Sequence, residues 1–275
     1  MMRHRNPRSE KAEIGRAHSA TPKSTAANSG EPAHQQRNVG LARAISKMGY
    51  CSRSRAEEAI RAGRVRVNGA VRRNVEALVH LGKDRLEIDG REVTKAEKLY
   101  LMLNKPRGVV TTASDERGRE TIYSFLQKYK DGSLNWVAPV GRLDKASEGL
   151  LLITNDSEWA AKITAPETHA DKTYHVQIAE LATPAMIERL EQGFTVNDGE
   201  FLRVKSASVI RSGERNCWLE IVLDEGRNRH IRRMFETIGV DVLRLIRVAI
   251  GALKLGDLPK GEVRALSEQE KAIVV

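Results

Sequence analysis

The sequence VGRLDKASEGLLLIT occupies residues 140–154 and joins a polar segment to a long apolar one. Residues 150–154 form a short apolar run of the kind found in fully buried strands. The proline and glycine at residues 139–141 predict a turn ahead of this strand. Asp144 is then expected in the loop between the turn and the strand. The stretch therefore predicts the central strand of a sheet, with a carboxylate close to one of its ends.

Strand patterns recur on both sides of this stretch, at residues 99–103, 172–178 and 218–223. Helical spacing of apolar residues is found at residues 121–128, 184–192 and 229–238. We expect residues 109–112 to pair with the first strand as a hairpin, and Asn155 to cap a helix. Because strands outnumber helices and do not alternate with them, residues 99–275 predict an α+β domain. Its sheet is expected to be large, mixed and mainly antiparallel, and to be flanked by helices.

A smaller α/β-rich domain is predicted at residues 39–93, joined to the large domain by a polar linker at residues 94–98. Apolar residues predict a first helix that stops at Gly49, and Ser54 to Glu57 fits a capping box for a second helix. Residues 64–69 then alternate and close on Asn-Gly, which predicts a strand and a tight hairpin turn. Two helices followed by short strands are therefore expected. Five arginines of this region lie close in sequence: Arg53, Arg55, Arg61, Arg64 and Arg66. Of these, Arg53, Arg61, Arg64 and Arg66 are candidate binding residues.

The net charge of +10 is unevenly distributed along the 275 residues. Residues 39–98 carry 14 Lys/Arg and 8 Asp/Glu, whereas residues 99–275 carry 25 of each. Residues 1–38 carry 7 Lys/Arg and 3 Asp/Glu with very few apolar side chains, so they predict a disordered basic tail. Excess positive charge favours contact with a polyanion such as nucleic acid. A basic surface that only promotes solubility is equally consistent with the charge alone.

Several classes of protein and of site are excluded by what the sequence lacks. No run approaches the ~18 apolar residues that a membrane-spanning helix needs, and no apolar stretch follows the basic N-terminus, so neither a membrane anchor nor a secretory signal is expected. The two cysteines, Cys51 and Cys217, suit a reducing compartment. No phosphate-binding loop, metal-ligand cluster or nucleophile elbow is found. We therefore expect a soluble cytoplasmic protein without a metal or a nucleotide cofactor.

Asp144 is the most suggestive polar residue, but its pattern alone leaves two interpretations open. A carboxylate beside an apolar strand can be partly desolvated, which favours chemistry if a cation compensates its charge. Candidate cations are Arg142, Lys145 and the cluster at residues 227–233. Most aspartates ahead of a strand are nevertheless ordinary loop residues. The same reasoning applies to the arginine cluster at residues 227–233, which includes Arg229. It is expected at the start of a helix, where its side chains contact phosphate or water.

Two resemblances to known families change these odds. Residues 39–93, with Ser52-Arg53, Gly63-Arg64-Val65 and Val67-Asn68-Gly69, resemble the RNA-binding domain named after small-subunit ribosomal protein four. Gly141-Arg142-Leu143-Asp144, followed by Glu148-Gly149-Leu150-Leu151, resembles the catalytic motif of the RsuA/RluB type of pseudouridine synthase. Further segments agree in order and spacing: Leu103-Asn104-Lys105-Pro106, Lys172-Thr173-Tyr174, Gly226-Arg227-Asn228-Arg229 and Ile231-Arg232-Arg233-Met234. The resemblance covers about residues 39–270.

The second resemblance implies a role for individual residues of a catalytic site. Asp144 would attack C1′ of the target ribose or remove its 2′ proton. Tyr174 would stack on the base, and Arg232 would form an ion pair with Asp144. Arg142 would help to hold the target nucleotide out of its helix or loop. Leu219 would contribute to the apolar wall of the uracil pocket.

The resemblances together imply isomerisation of a specific uridine of ribosomal RNA to pseudouridine during ribosome maturation, more in the manner of large-subunit enzymes. The expected partner is ribosomal RNA or an assembly intermediate, bound by a monomer that needs no cofactor. Two alternative functions are also considered. One is a non-catalytic RNA-binding assembly factor that uses the same basic domain. The other is an RNA hydrolase that uses Asp144, although such enzymes commonly need a histidine pair or a metal site.

Overall fold

The computed structural model of the chain describes residues 38–113, 115–129, 136–165 and 170–274. The disordered tail predicted for residues 1–38 lies outside these ranges except for Asn38. Within the described ranges, no helix is long and apolar enough to cross a membrane.

The N-terminal region consists of two short helices and six short strands. They are β1 (Val39–Gly40), α1 (Leu41–Lys47), α2 (Arg53–Arg61), β2 (Val65–Val67), β3 (Ala70–Arg72), β4 (Leu78–Val79), β5 (Leu86–Ile88) and β6 (Arg91–Glu92). Four strands form an antiparallel sheet in the order β3-β2-β5-β6, and β1 pairs with β4. Buried side chains of both helices pack on this sheet, so the region has a hydrophobic core of its own.

The hairpin predicted at residues 64–69 is confirmed, but the predicted capping box is wrong. Asn68 and Gly69 have φ angles of +52° and +82°, the left-handed conformation that a tight hairpin between β2 and β3 requires. Helix α2 begins two residues earlier than predicted, because the side chain of Ser52 accepts a hydrogen bond from the amide of Arg55. Ser54 therefore lies inside the helix and caps nothing.

The larger region contains the remaining helices and strands. Its strands are β7 (Tyr100–Lys105), β8 (Ala138–Val140), β9 (Glu148–Thr154), β10 (Lys172–Ile178), β11 (Phe194–Thr195), β12 (Phe201–Leu202), β13 (Ser206–Ser212), β14 (Cys217–Leu223), β15 (Val242–Ile250), β16 (Leu253–Lys254) and β17 (Val263–Ala265). Its helices are a 3₁₀ helix (Ile122–Tyr129), α3 (Ser157–Thr164), α4 (Pro184–Gln192), α5 (His230–Thr237) and α6 (Glu268–Ile273).

Nine of these strands form one mixed sheet, as predicted. Seven follow the order β13-β14-β10-β15-β9-β7-β17, while β8 pairs with β9 and β16 with β15. Every pairing in it is antiparallel except the short parallel contact between β9 and β15. Strand β9 is buried along its whole length, because α3 covers one face and the 3₁₀ helix the other. Helices α4 and α5 cover one face of β10 and β14.

The parallel contact between β9 and β15 requires a glycine. Gly149 faces Arg247 in register and has a φ angle of +101°. A Cβ atom at this position would lie 2.3 Å from the carbonyl oxygen of Arg247. Main chain cannot yield as a flexible side chain can, so only glycine permits the two strands to approach this closely. The two parts of the sheet therefore join at a point where a side chain has no room.

Three local predictions in this region are wrong. Residues 109–112 do not form a hairpin with β7, because β9 and β17 already pair with its two edges; Val110 makes an isolated bridge to Thr121 instead. Pro139 lies within β8 rather than in a turn, which an edge strand tolerates.

The cap of α3 is also displaced by one residue. Asp156, not Asn155, caps α3 and accepts hydrogen bonds from the amides of Glu158 and Trp159. The side-chain amide of Asn155 instead bonds the main chain of Glu97 and Leu99. Asn155 therefore fixes the segment that enters the large sheet.

Candidate active site

A cleft of about 810 Å³ opens beside the parallel contact between β9 and β15. Its walls come from the loop between β8 and β9, the start of β10, the inner face of β15, and the segment that joins β14 to α5. Among the residues that the structure describes, no group of three His, Cys, Asp or Glu side chains is arranged to hold a metal ion.

Asp144 lies half-buried in the wall of this cleft, and its main chain is held from several sides. Its carbonyl oxygen accepts hydrogen bonds from the amide of Ser147 (3.0 Å) and from Nζ of Lys105 (3.1 Å). The neighbouring carbonyl of Leu143 accepts from the hydroxyl of Thr111 (2.7 Å), and that of Lys145 from the amide of Gly108 (2.7 Å). These bonds occupy main-chain atoms only, so the carboxylate of Asp144 remains available to a ligand.

Lys105 holds this loop from below, a role that was not predicted from its place in a sequence motif. It is fully buried at the end of β7, and its Nζ also donates to the carbonyls of Pro106 (3.1 Å) and Ser147 (2.9 Å). Burial lowers the pKa of Lys105 to about 8, while attraction by Asp144 and Glu148 acts in the opposite direction. A single ammonium group thus holds this loop both at Asp144 and at its end next to β9.

Arg232 does not form the expected ion pair with Asp144. Its guanidinium donates to the carbonyl oxygens of Ala146 (3.0 Å) and Val242 (3.3 Å). From α5, the side chain reaches the loop two residues beyond Asp144, so it contacts main chain instead of the carboxylate. Burial and nearby Arg229 lower the pKa of Arg232, and Asp144 raises it. Arg232 therefore acts on Asp144 through the loop and through space, and it is absent from the lining of the cleft.

Tyr174 lies on β10 and lines the cleft. Arg247 lies opposite it on β15, and Ile221 opposite it on β14. Lys172, two residues earlier on the same face of β10, also lines the cleft. Asp144 and Tyr174 are thereby brought to one cavity from strands that are distant in sequence. The lining positions of Lys172 and Arg247 were missed, although Lys172 belongs to a segment that matched the resemblance.

The remaining predicted cleft residues divide into two groups. Arg142 and Arg229 are exposed and line the cleft, Arg229 with a left-handed φ of +49° immediately before α5. Leu219 was wrongly assigned to the apolar wall, because it is fully buried under α4 and α5. Leu223, four residues further along the same face of β14, lines the cleft together with Ile231.

The four arginines of the N-terminal region lie outside the cleft, at the surface. Arg61 pairs with Glu57 within α2, and the guanidinium of Arg64 donates to Asp89 (2.8 Å). Hydrogen bonding to Asp89 raises the pKa of Arg64. Arg66 donates to a main-chain carbonyl of the hairpin turn (3.0 Å). The fourth, Arg53, is exposed at the start of α2. All four are available to a polyanion but are not brought to Asp144.

Two family models match the chain. One is described as RNA pseudouridylate synthase and matches residues 99–237; the other is described as S4 domain and matches residues 39–86. The first covers half of the chain and includes the loop of Asp144 and helix α5. Its match ends before β15, whose Arg247 also lines the cleft.

Curated relatives and a solved structure agree with these matches. The chain is 35% identical over 231 residues to "Ribosomal large subunit pseudouridine synthase B" of Bacillus subtilis (strain 168), covering 84% of this chain and 93% of the relative. It is 36% identical over 235 residues to an "Uncharacterized RNA pseudouridine synthase" of Aquifex aeolicus (strain VF5), covering 85% and 92%. A crystal structure of a pseudouridylate synthase superposes with a TM-score of 0.61 and 29% identity, over 86% of this chain and 100% of the other.

Proposed function

The chain belongs to the RNA pseudouridylate synthase family, and from this premise we propose that it isomerises a specific uridine of large-subunit ribosomal RNA, with Asp144 as its catalytic carboxylate. It is an RNA pseudouridine synthase, and its S4 domain and its relatives support ribosomal RNA as the substrate. The choice of the large subunit rests on the Bacillus subtilis relative and is the finer part of the proposal.

The observation that carries the proposal is the position of Asp144. Its carboxylate lines a cleft large enough for a nucleotide, while Lys105 and Ser147 hold its main chain in place. A group that is fixed before the substrate arrives loses little freedom when it reacts. Carboxylates are established nucleophiles towards the anomeric carbon of sugars. A carboxylate on a firmly held loop, in the same cleft as an aromatic ring, therefore suits chemistry at the glycosidic bond of a nucleoside.

Two routes satisfy this geometry. In the first, an oxygen of Asp144 bonds to C1′ as the C1′–N1 bond breaks; in the second, Asp144 takes the 2′ proton and leaves a double bond in the sugar. In both, the electron pair of the C1′–N1 bond departs with the base. After the base rotates, C5 bonds to C1′. In the first route the C1′–Asp144 bond breaks in this step, and in the second C2′ takes its proton back from Asp144. C5 then loses its proton and N1 gains one. The product is an isomer of the substrate, so no redox partner is required.

The other residues position the loop and the nucleotide. Tyr174 stacks on the uracil, because a ring face holds a base without fixing its rotation in its own plane. Arg142 holds the nucleotide outside its helix, and Arg229 contacts phosphate at the rim. Arg232 positions Asp144 through the carbonyl of Ala146. Residues 39–93 anchor the RNA, residues 94–98 link the two domains, and residues 99–275 carry out the reaction.

Tritium release tests the activity directly. Ribosomal RNA transcribed with tritium at uridine C5 should release tritium to water with the wild-type protein, without strand scission. Asp144→Asn, which keeps the shape of the side chain, should release none and retain RNA binding. Asp257→Asn, at an exposed position outside the cleft, is the matched control. Strand scission would indicate a hydrolase. RNA binding without release from any precursor RNA would indicate an assembly factor.

Mapping of pseudouridines tests the choice of RNA. In a strain that lacks the protein, one large-subunit uridine should remain unmodified, and the wild-type gene should restore its modification. Restoration should fail with Asp144→Asn. A missing modification in small-subunit RNA would contradict the subunit assignment while leaving the isomerase activity intact.

A further inference from the structure

Two cations occupy the inner wall of the cleft next to Tyr174. Lys172 precedes Tyr174 on the same face of β10, and Arg247 faces Tyr174 from β15. The register between these strands shifts between Thr173 and Tyr174, so that one residue of β15 is passed over. Such a bulge redirects side chains. Lys172 and Arg247 are thereby brought into the same part of the cleft as the ring of Tyr174.

Neither cation is neutralised by the fold. Among the described residues, Lys172 makes no ion pair within 4 Å and no hydrogen bond through its ammonium group. Arg247 is 5% exposed; its Nε donates to the carbonyl of Leu150 (2.8 Å), whereas its buried Nη2 has no hydrogen-bond partner. Burial lowers the pKa of Lys172, and the charge of Arg247 lowers it further; Asp171 and Asp224 oppose this shift.

An arrangement of this kind is unfavourable in the free protein. A half-buried ammonium group and a buried guanidinium of the same charge lose hydration and repel each other. Perturbed groups of this kind cluster at functional sites. The missing partner is expected to be an anion that enters the cleft.

We propose that Lys172 and Arg247 form an anion site that holds the carbonyl oxygens of the detached uracil while the base carries a negative charge. This inference rests on the proposed isomerisation. When the C1′–N1 bond breaks, its electron pair stays on the base, and the charge spreads over N1, O2 and O4. Donors already aimed at this charge stabilise the transition state of bond cleavage. The charge disappears when C5 has bonded to C1′, C5 has lost its proton and N1 has gained one.

The position of Lys172 and Arg247 deep in the cleft favours the base, rather than the RNA backbone, as their ligand. Exposed Arg142, Arg227 and Arg229 line the rim, where phosphates of a folded RNA can reach them. Arg247 is almost completely buried on the same wall as the Tyr174 ring on which the base stacks. A planar base that enters beside Tyr174 reaches these donors, whereas a phosphate that remains in the backbone stays outside.

A leaving-group experiment tests the site. A short RNA that carries the mapped target uridine is compared with the same RNA carrying 5-fluorouridine at that position, under single-turnover conditions. Disappearance of the N1-linked target nucleoside is followed by liquid chromatography after nuclease digestion. This readout serves both RNAs, because pseudouridine has the same mass as uridine, and 5-fluorouridine, which has no C5 proton to lose, stops at a C5-linked adduct. Fluorine stabilises the uracil anion, so 5-fluorouridine needs less help from the protein. Lys172→Met should slow conversion of uridine by about 100-fold and that of 5-fluorouridine by no more than about tenfold.

Three further measurements separate this role from a structural one. Lys172→Arg should retain most of the rate, because it keeps the charge. Lys254→Met, at an exposed position on β16, should have wild-type activity. The Tm of Lys172→Met should be equal to or above that of the wild type, because the repulsion of Arg247 is removed. A lower Tm combined with equal slowing of both substrates would indicate a structural role and overturn the proposal.

Two other outcomes would also overturn it. An unchanged rate in Lys172→Met would exclude the residue from the reaction. Lys172→Met could also slow both substrates equally and reduce the slope of log Kd against log salt by about one. This result would show that Lys172 contacts a phosphate. If the wild type itself converts neither RNA, the proposed isomerisation is contradicted. An active wild type with unaffected variants would instead contradict only the anion site.

Discussion

The buried or half-buried cations in and behind the wall of the cleft and the arginines of the N-terminal region are basic residues used in opposite ways. Lys105, Lys172 and Arg247 are buried or half-buried, and they meet carbonyl oxygens or no partner at all. Arg61 and Arg64 are exposed and pair with carboxylates of their own region. Charges in a poorly hydrated site act strongly over short distances, whereas exposed charges are screened by water and salt. Position in the fold therefore separates charges for chemistry from charges for affinity.

The largest effect is expected from removing the buried ammonium group. Lys105→Met leaves the carbonyls of Pro106 and Ser147 without this donor, while the carbonyl of Asp144 keeps only the amide of Ser147. We expect a loss of at least about 3 kcal/mol in the free energy of unfolding, because each unsatisfied buried acceptor costs about 1–3 kcal/mol. Urea denaturation measures this loss. Lys83→Met, at an exposed position of the N-terminal region, is the matched control and should change stability by less than about 0.5 kcal/mol. Equal losses of stability in Lys105→Met and Lys83→Met would contradict the difference proposed between buried and exposed cations.

The same lysine predicts a dependence of activity on pH. Its pKa is lowered to about 8, so above that pH the group becomes neutral and loses one of the three N–H donors that hold the loop. The isomerisation rate should fall up to about tenfold per pH unit above pH 8. The contribution of Lys105 to the free energy of unfolding changes with pH in the opposite direction to the rate. Between about pH 8 and 10.5 the unfolded chain binds the proton more tightly, so this contribution rises with pH.

Circular dichroism at the same pH values checks this interpretation. We expect the alkaline loss of activity to occur while the protein remains folded. Unfolding that coincides with the loss of activity would assign the pH dependence to the whole domain instead of the Asp144 loop.

The regular strands were predictable because their pattern is local. Residues 172–178 alternate because one face of β10 lies on the core, and the Asn68-Gly69 turn carries its own signal. The supports of the site are not local. Lys105 and Arg232 bond to main-chain carbonyls that lie 39 and 86 positions away. Every residue has a carbonyl oxygen, so no sequence pattern predicts which of them such a side chain will contact. The predicted pair of Arg232 with Asp144 failed for this reason.

A moderate effect is expected from the exposed arginines that have no acidic partner. Arg53→Ala combined with Arg66→Ala should reduce the slope of log Kd against log salt by about 1.8, because each phosphate contact releases about 0.9 counterion. The single-turnover rate at saturating RNA should be unchanged. Arg64→Ala should change the slope less, because Asp89 already compensates that charge. A lower rate at saturating RNA would link these arginines to the chemistry.

The smallest effect is expected where both partners are exposed. Arg61 and Glu57 keep 62% and 34% of their side-chain surface in water. Arg61→Ala should reduce the free energy of unfolding by no more than about 0.5 kcal/mol, and 1 M salt should remove the difference. Thermal denaturation in low and high salt measures both. A larger loss that persists in salt would show that Arg61 packs against the fold through more than its charge.

The parallel contact between β9 and β15 also determines when the cleft comes into existence. Buried Glu148 on β9 and Arg244 on β15 form an ion pair at this contact, although they lie 96 positions apart in the chain. The antiparallel pairs on either side connect closer segments, so we expect them to form earlier. During synthesis, the loop of Asp144 leaves the ribosome long before β15 does. A nascent chain therefore holds Asp144 without a cleft around it until the last third of the sequence has been made.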